Sequence, residues 1–369
     1  MAYLGEGTPK LGFGLMRLPK LEDGSIDIAQ VSQMVDEFLA AGCTYFDTAR
    51  AYGESESATR RALIERHPRE SFTLATKNAA WLGANSQEEA RGFFDTSLKE
   101  TGAGYFDYYL LHNLGGTRTE IFDKWGMWDW VRSLKEEGRI RHWGFSYHDN
   151  AENLDRLLDA HPDAEFVQLQ INYADWDDLA VQSRACWEVA RAHEKPVVIM
   201  EPVKGGMLAA PPVAVADILH EAHAERSPVE WALRFAMNLE GVLTVLSGMS
   251  SLEQMRQNLE TLKNLSALTE HEQQVLAEAR SVLHDLIEVP CTSCHYCMDD
   301  CPVHMNISSI MESINRDVMY GHDAGLHNYG FAARDVKASE CIQCYQCEGV
   351  CPQHINIVTR LEQAASLFE

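Results

Sequence analysis

A (β/α)8 barrel followed by a smaller, mainly helical and cysteine-rich domain is the fold that this 369-residue sequence predicts. Three observations carry that expectation. Short apolar, β-rich runs alternate with longer amphipathic ones through residues 1–287, the pattern that calls for parallel strands joined by crossover helices. Eight such pairs fit into that stretch, close to the roughly 250 residues usual for a barrel. Eight of the ten cysteines then fall between Cys291 and Cys351, which sets residues 288–369 apart as a second domain.

The predicted strands are Leu11 to Leu15, Thr44 to Thr48, Phe72 to Thr76, Tyr108 to His112, His142 to Ser146, Phe166 to Ile171, Val197 to Met200 and Leu243 to Ser247. Helical runs lie between them. Ala29 to Ala41 ends at Gly42, and Ser86 to Thr101 opens on Ser86 and Glu89, a capping-box pair. A doubly wound open sheet is the competitor, but no strand is followed by GxGxxG.

Composition narrows the function classes. With 46% hydrophobic and 23% charged residues the chain suits an ordinary globular core and not disorder. The net charge of −24 divides into −17 for residues 1–287 and −7 for the rest, so nucleic acid would be repelled by both parts. No apolar run of about 18 residues and no signal-like start are present, and a cytoplasmic protein without a membrane partner is expected.

In a barrel the chemistry belongs at the carboxyl ends of the strands. Here those ends are polar and ionisable. Strand two ends in Asp47, with Tyr52 five residues on; strand three ends in Lys77, strand four in His112 and strand five in Ser146. Singly, each suits a structural or solvated role. On consecutive strand ends of one barrel they read as a site.

At these residues the sequence resembles the aldo-keto reductase family, over residues 10 to 265. The resemblance rests on LGFGLMRLP, FDTARAYG, LATK, LLH, GRIRHWGFS, VQLQIN and SGMSSLEQMRQNL. It implies a catalytic tetrad of Tyr52, Lys77, Asp47 and His112, and reduction of a small-molecule carbonyl by NADPH or NADH. Elementary chemistry supports the same roles. Carbonyl reduction needs a hydride on carbon and a proton on oxygen, and a phenol is a poor acid at neutral pH unless a cation such as Lys77 favours its anion. Asp47 would hold that ammonium, and a neutral His112 would orient the carbonyl oxygen.

For the coenzyme, the resemblance implies Ser146 and Gln168 as partners of the nicotinamide carboxamide, although Gln168 equally suits pairing to strand-end backbone. In EPVKGG, Gly205 and Gly206 would let backbone N–H groups approach a pyrophosphate and Lys204 would add charge. Asn258 matches the family's adenine contact. Where NADPH-preferring relatives carry basic residues, this chain has Gly248 and Gln254, with Arg256 nearby, so NADH is credible. No aromatic platform is identified at the end of strand seven, where Met200 and Glu201 stand. Trp128 and Trp130 read as helix packing and Trp125 as a candidate for the substrate mouth, while Cys43 and Cys186 read as small buried hydrophobes.

The tail holds two copies of CxxCxxCxxxCP, at Cys291, Cys294, Cys297 and Cys301 and at Cys341, Cys344, Cys347 and Cys351, offset by 50 residues. The repeat continues: Pro302, His304, Asn306 and Ile307 recur as Pro352, His354, Asn356 and Ile357. Three thiolates at i, i+3 spacing serve one cube, and the fourth, carried away by proline, ligates the other. Cys291, Cys294, Cys297 and Cys351 should therefore hold one 4Fe-4S cluster and Cys341, Cys344, Cys347 and Cys301 the second. Zinc would need neither the third nor the fourth cysteine of each motif. The tail resembles two-cluster bacterial ferredoxins, with 39 residues between Cys301 and Cys341 that favour the longer helical variety; Ser308 to Val318 reads as a helix with Asn306 at its N-cap. His304 and His354 suit either cluster sulfurs or helix caps, and Tyr296 and Tyr345 suit exclusion of water.

The expected function is an oxidoreductase in which two one-electron clusters accompany a two-electron hydride site, with no flavin motif between them. The clusters would serve a separate electron route, to a redox partner protein or the barrel site, or act as structural or sensing elements. The alternative is an iron-sulfur electron-transfer or redox-sensing protein whose barrel binds coenzyme without being chiefly a carbonyl reductase. Substrate, direction and oligomeric state are not encoded in these motifs.

Overall fold

The computed structural model describes residues 4–5, 7–179, 181–291, 295–299, 301–351 and 353–369. Its strands are β1 Leu11–Gly14, β2 Tyr45–Asp47, β3 Thr73–Asn78, β4 Phe106–Leu114, β5 Ile140–Tyr147, β6 Phe166–Gln170, β7 Val197–Met200 and β8 Val242–Ser247. They close into one parallel barrel in chain order, with β8 returning to β1 through Leu11 and Val245. All eight predicted strands are present.

Aromatic and branched side chains fill the barrel. Tyr45, Tyr108, Phe166, Val198 and Leu243 form one buried cluster, in which the rings of Tyr45 and Tyr108, and of Tyr108 and Phe166, lie 5.2 Å apart. Gly144 lets β5 approach β6, since a Cβ there would lie 2.2 Å from the Phe166 carbonyl oxygen. Only a residue without a side chain fits.

The crossover helices begin where the sequence supplies caps. Helix α1, Ile28–Ala40, starts at Asp27, whose carboxylate accepts from the Gln30 N–H. Helix α2, Gln87–Thr101, starts at Ser86, whose hydroxyl accepts from the Glu89 N–H. The expected box is only half made, because the Glu89 carboxylate accepts from the N–H of Asn85 instead of Ser86. Helices α3, Thr117–Lys124, and α4, Met127–Glu136, follow β4. On α4, Trp128 stacks on His161 at 3.7 Å and Trp130 meets Phe94, so both tryptophans pack as expected.

By internal packing the chain forms two compact units. One comprises the chain through Asp177 with Val181–Gly205 and Ala232–Leu268, and contains the whole barrel. The other comprises chiefly Gly206–Trp231 and Thr269–Glu369. Within the second, helix Val213–Ala222 packs on helix Glu270–Asp285. Its core is built from Met305, Ile310, Met311, Ile314 and Leu361 together with three of the motif cysteines, Cys297, Cys301 and Cys347.

The sequence repeat is also a structural repeat. Short helices Tyr296–Asp299 and Gln346–Gly349 each precede a left-handed histidine, His304 with φ 54° and His354 with φ 51°. Helices α5, Ile307–Tyr320, and α6, Ile357–Phe368, then start after Asn306 and Asn356, which share nearly the same backbone angles. Neither asparagine caps its helix through its side chain, contrary to the expectation for Asn306. In the second copy the Glu348 carboxylate accepts from the Val358 N–H instead. Among the described residues no helix is long and apolar enough to cross a membrane.

Candidate active site and cluster-binding hollows

The barrel strands place Asp47, Lys77 and His112 at their carboxyl ends, and the loop after β2 brings Tyr52 to them. Asp47 is level with Ala75 in the β2–β3 register, so Lys77 projects one alternation further along the barrel. Beyond Leu111 the β4–β5 ladder shifts register, and Asn113 turns left-handed with φ 63°. A bulge of this kind re-aims the adjacent side chain, here His112.

Lys77 is 1% exposed, yet each of its three ammonium donors meets an oxygen. It bonds the Asp47 carboxylate, the Thr48 carbonyl oxygen at 2.8 Å and the Tyr52 hydroxyl at 3.3 Å. Burial opposes its charge, but Asp47 and Tyr52 outweigh that and hold the ammonium above the ordinary lysine value. For Tyr52, burial outweighs the neighbouring cation, and the phenol stands above its ordinary value. The pull of Lys77 toward the phenolate, expected from the sequence, is present but is outweighed by burial, so the phenol holds its proton more firmly than in water. His112 is pushed well below the ordinary imidazole value by burial, then by Lys77, His148 and Arg118, so it is neutral. Its ring meets Tyr52 edge-on at 5.7 Å.

Ser146 and Gln168 stand level on β5 and β6, both 1% exposed. The Ser146 hydroxyl accepts from the Asn113 N–H at 2.7 Å. Among the described residues the buried Gln168 side-chain oxygen has no hydrogen-bond partner, so backbone pairing through that oxygen is not seen there. An inward amide acceptor beside a hydroxyl is a donor and acceptor set that fits a carboxamide. Asn258 donates to the Ser247 hydroxyl at 2.9 Å, which aims it at the end of β8. Lys204 is ion-paired with buried Asp175, which Gln170 and Asn172 also hold, so its charge is committed within the barrel unit. Gly205 is left-handed with φ 66°, and Gly206 follows with φ 102°. Arg256 makes two bonds to Glu37, and Gln254 accepts from the Ser250 N–H. The cation beside Gly205 and Gly248 is instead Arg17, paired with Glu201 at 3.1 Å.

Two further residues escaped the sequence reading. Trp81, four positions after Lys77, sets its ring 5.8 Å from His112 with the indole N–H buried and unpartnered among the described residues. Trp125, the expected mouth residue, has Lys124 over its ring and its carbonyl oxygen accepts from the Gln87 side chain at 2.9 Å. Arg118 donates to the Asn113 carbonyl oxygen. Neither belonged to a strand end, the signal that located the others.

In the second unit the cysteines surround two hollows. One, of about 330 Å³, is lined by Cys341, Cys344 and Cys347 together with Cys301 from the first motif. The other, of about 360 Å³, is lined by Cys291 and Cys297 together with Cys351 from the second. Cys294 lies outside the described residues. The walls are otherwise largely apolar, with Ile307 shared by both. The Gln343 N–H donates to the Cys341 sulfur at 3.4 Å. Among the described residues no three cysteine, histidine or acidic side chains converge on a point that one metal ion would fill, whereas tetrahedral zinc needs its donors within about 2.0 to 2.3 Å of one point. The donor set and its spread fit iron-sulfur cubes, which take one thiolate per corner. His304 and His354 are exposed and line neither hollow; Tyr345 lines the first.

Comparison with known proteins decides the family, because the aldo/keto reductase family model matches residues 10–280. The chain belongs to the aldo/keto reductase family. A 4Fe-4S dicluster domain matches residues 290–355. An aldo-keto reductase of Mycolicibacterium vanbaalenii is 29% identical over 259 residues, 68% of this chain and 82% of that protein. The holo form of aldo-keto reductase AKR11C1 from Bacillus halodurans superposes with a TM-score of 0.59 at 25% identity, covering 73% of this chain and 91% of that one. An aldo/keto reductase from Klebsiella pneumoniae, solved with NADP and acetate, shares the fold with a TM-score of 0.59 at 22% identity, covering 73% and 91%.

Proposed function

We propose that the barrel reduces a small carbonyl compound with NAD(P)H, and that the tail, from about residue 288, carries two 4Fe-4S clusters as a separate one-electron route. The observation that carries the first part is the Lys77 ammonium bonded at once to Asp47, the Thr48 carbonyl and the Tyr52 hydroxyl. Bound coenzyme would supply the hydride; Gln168 and Ser146 would hold its carboxamide, and Arg17, beside Gly205 and Gly248, would offer positive charge to its phosphates. Tyr52 gives its proton to the carbonyl oxygen. The phenolate left behind is then met by the Lys77 ammonium, which Asp47 and Thr48 keep in place, while neutral His112 donates a hydrogen bond that orients the carbonyl. A positioned acid of this kind is worth about 10² to 10⁴ in rate.

In the tail, the grouping of Cys301 with Cys341, Cys344 and Cys347, and of Cys351 with Cys291 and Cys297, supports crossed ligation. Cys294 completes the second set by its spacing.

The test is an anaerobic assay of the iron-loaded protein with NADH or NADPH and a panel of aldehydes, following coenzyme absorbance and alcohol formed. One alcohol per coenzyme is expected. With Arg256 committed to Glu37 and one exposed arginine, Arg17, near Gly248, catalytic efficiency with NADPH should stay within about tenfold of that with NADH, since an exposed ion pair is worth at most about 1 kcal/mol. Coenzyme that bleaches the clusters while no carbonyl compound is reduced would leave the electron-transfer or sensing reading in its place.

A further inference from the structure

Arg118 stands in the first turn of α3, four residues past β4, where two loops are stitched together around His112. The Asn113 N–H reaches the Ser146 hydroxyl, the His148 N–H reaches the Leu114 carbonyl oxygen at 2.8 Å, and the Gly116 N–H reaches the Asp149 carboxylate at 2.9 Å. Into this frame Arg118 donates its Nε to the Asn113 carbonyl oxygen at 2.7 Å, which fixes the guanidinium one residue from His112. Its two terminal nitrogens have no partner among the described residues.

This chain has 55 acidic residues to 31 basic ones. Arg17, Arg50 and Arg256 around the barrel mouth and loops are each paired with a glutamate. Asp149, the acidic group whose field reaches Arg118, is already bonded to the Gly116 N–H and to Asn153. Arg118 is half-buried, and its positive field is felt at His112. The Trp81 ring lies 5.8 Å from the same imidazole, and its buried indole N–H has no partner among the described residues. A guanidinium held through Nε presents its outer pair of N–H groups as a fork, the geometry that a carboxylate matches bidentately.

We propose that Arg118 binds the carboxylate of the substrate, so that the carbonyl compound reduced at Tyr52 is an anionic one, an aldehyde or keto acid. Trp81 supplies a further hydrogen bond to its polar part. In a protein of net charge −24, such a cation at the mouth also offsets the repulsion that an anionic substrate would otherwise meet. The assignment rests on the carbonyl-reductase reading for its chemistry, though not for the binding site itself.

Two measurements separate the site from the reaction. In calorimetric titrations of the anaerobic holoprotein, with and without NADP, benzoate should bind at least tenfold tighter than benzamide. Arg118→Gln should cut that ratio at least fivefold, and Arg118→Lys, which keeps a cation, should restore part of it. In turnover, 4-carboxybenzaldehyde should exceed its methyl ester in kcat/KM by at least tenfold, and Arg118→Gln should collapse the ratio. Wild-type protein that shows no preference for benzoate, or binds neither probe, overturns the proposal, as does a ratio that Arg118→Gln leaves unchanged. If the benzoate preference holds while no aldehyde consumes coenzyme, the anion site stands and the carbonyl-reductase reading fails. If neutral aldehydes are reduced with no preference for acids, reduction stands and the Arg118 site fails.

Discussion

The barrel end and the cysteine-rich unit solve the problem of holding reactive groups in opposite ways. At the barrel end the chain's own atoms complete the arrangement: the buried ammonium from β3 is surrounded by a carboxylate, a carbonyl and a phenol, all supplied by β2 and the loop after it. Removing one partner of such a buried charge costs about 3 to 5 kcal/mol, so the site is part of the stability of the barrel. In the cysteine-rich unit the thiols line two hollows, and three of them also belong to the core. There, on the cluster-binding reading proposed above, bound cubes would complete the packing. A self-contained site should therefore survive changes that the metal-dependent one does not, and the reverse.

The largest effect should come from the barrel. Tyr52→Phe keeps the ring and the contact with His112 but removes the proton, so turnover of a good carbonyl substrate should fall by at least about 10²-fold while coenzyme titrations remain normal. Turnover within a few-fold of the unchanged protein would remove Tyr52 from the reaction. Next comes the crossing of the cysteines. Anaerobically prepared protein should hold eight irons, and Cys301→Ala should damage the cube of Cys341, Cys344 and Cys347, taking iron toward half; Cys351→Ala should damage the other. Electron paramagnetic resonance of the reduced variants distinguishes the two outcomes. Loss of the cube beside each mutated cysteine's own motif would mean uncrossed ligation. Neither change should lower barrel turnover by more than a few-fold if hydride transfer is self-contained.

The smallest effect is an absence of change with pH. As the proposed acid, Tyr52 must be protonated; with its value raised above the ordinary 10.0, it should keep its proton through pH 9 and lose it only above about 10. His112, as the proposed neutral donor, has its value well below 6.5 and should gain a proton only in more acid solution. The kcat/KM for reduction, followed across buffers, should be level within about twofold from pH 6.5 to 9. An acid limb near 6.5 would show His112 titrating as if exposed, and an alkaline limb below 9 would show that the Lys77 cation, not burial, governs Tyr52.

Patterns local in the chain carried most of the architecture. Alternation of short apolar runs with amphipathic ones located all eight strands, because a strand buried on both faces and a helix with one buried face leave different periods in a sequence. The ends of those strands located Asp47, Lys77 and His112, since a closed parallel barrel brings them to one rim. The i, i+3 cysteine spacing followed by proline suggested crossed pairing for the same kind of reason: a thiolate triplet and its displaced fourth member are separated by a fixed, short stretch of backbone.

What the motifs could not state is where each charge is spent. Lys204 read as a phosphate ligand, but Asp175, 29 positions away, takes its ammonium; Arg256 stood near the coenzyme positions, but Glu37 claims it across 219 positions. The Arg118 fork, unpartnered among the described residues, and the indole of Trp81 became visible only once folding brought Arg118 within electrostatic reach of His112 and the Trp81 ring to 5.8 Å from it. Even the acid's character changed, since Lys77 beside Tyr52 suggests a lowered phenol until the depth of its burial is known. Periodicity and spacing are properties of neighbours along the chain. Ion pairing and desolvation depend on which distant groups share a low-dielectric space, and that is settled only when the barrel closes.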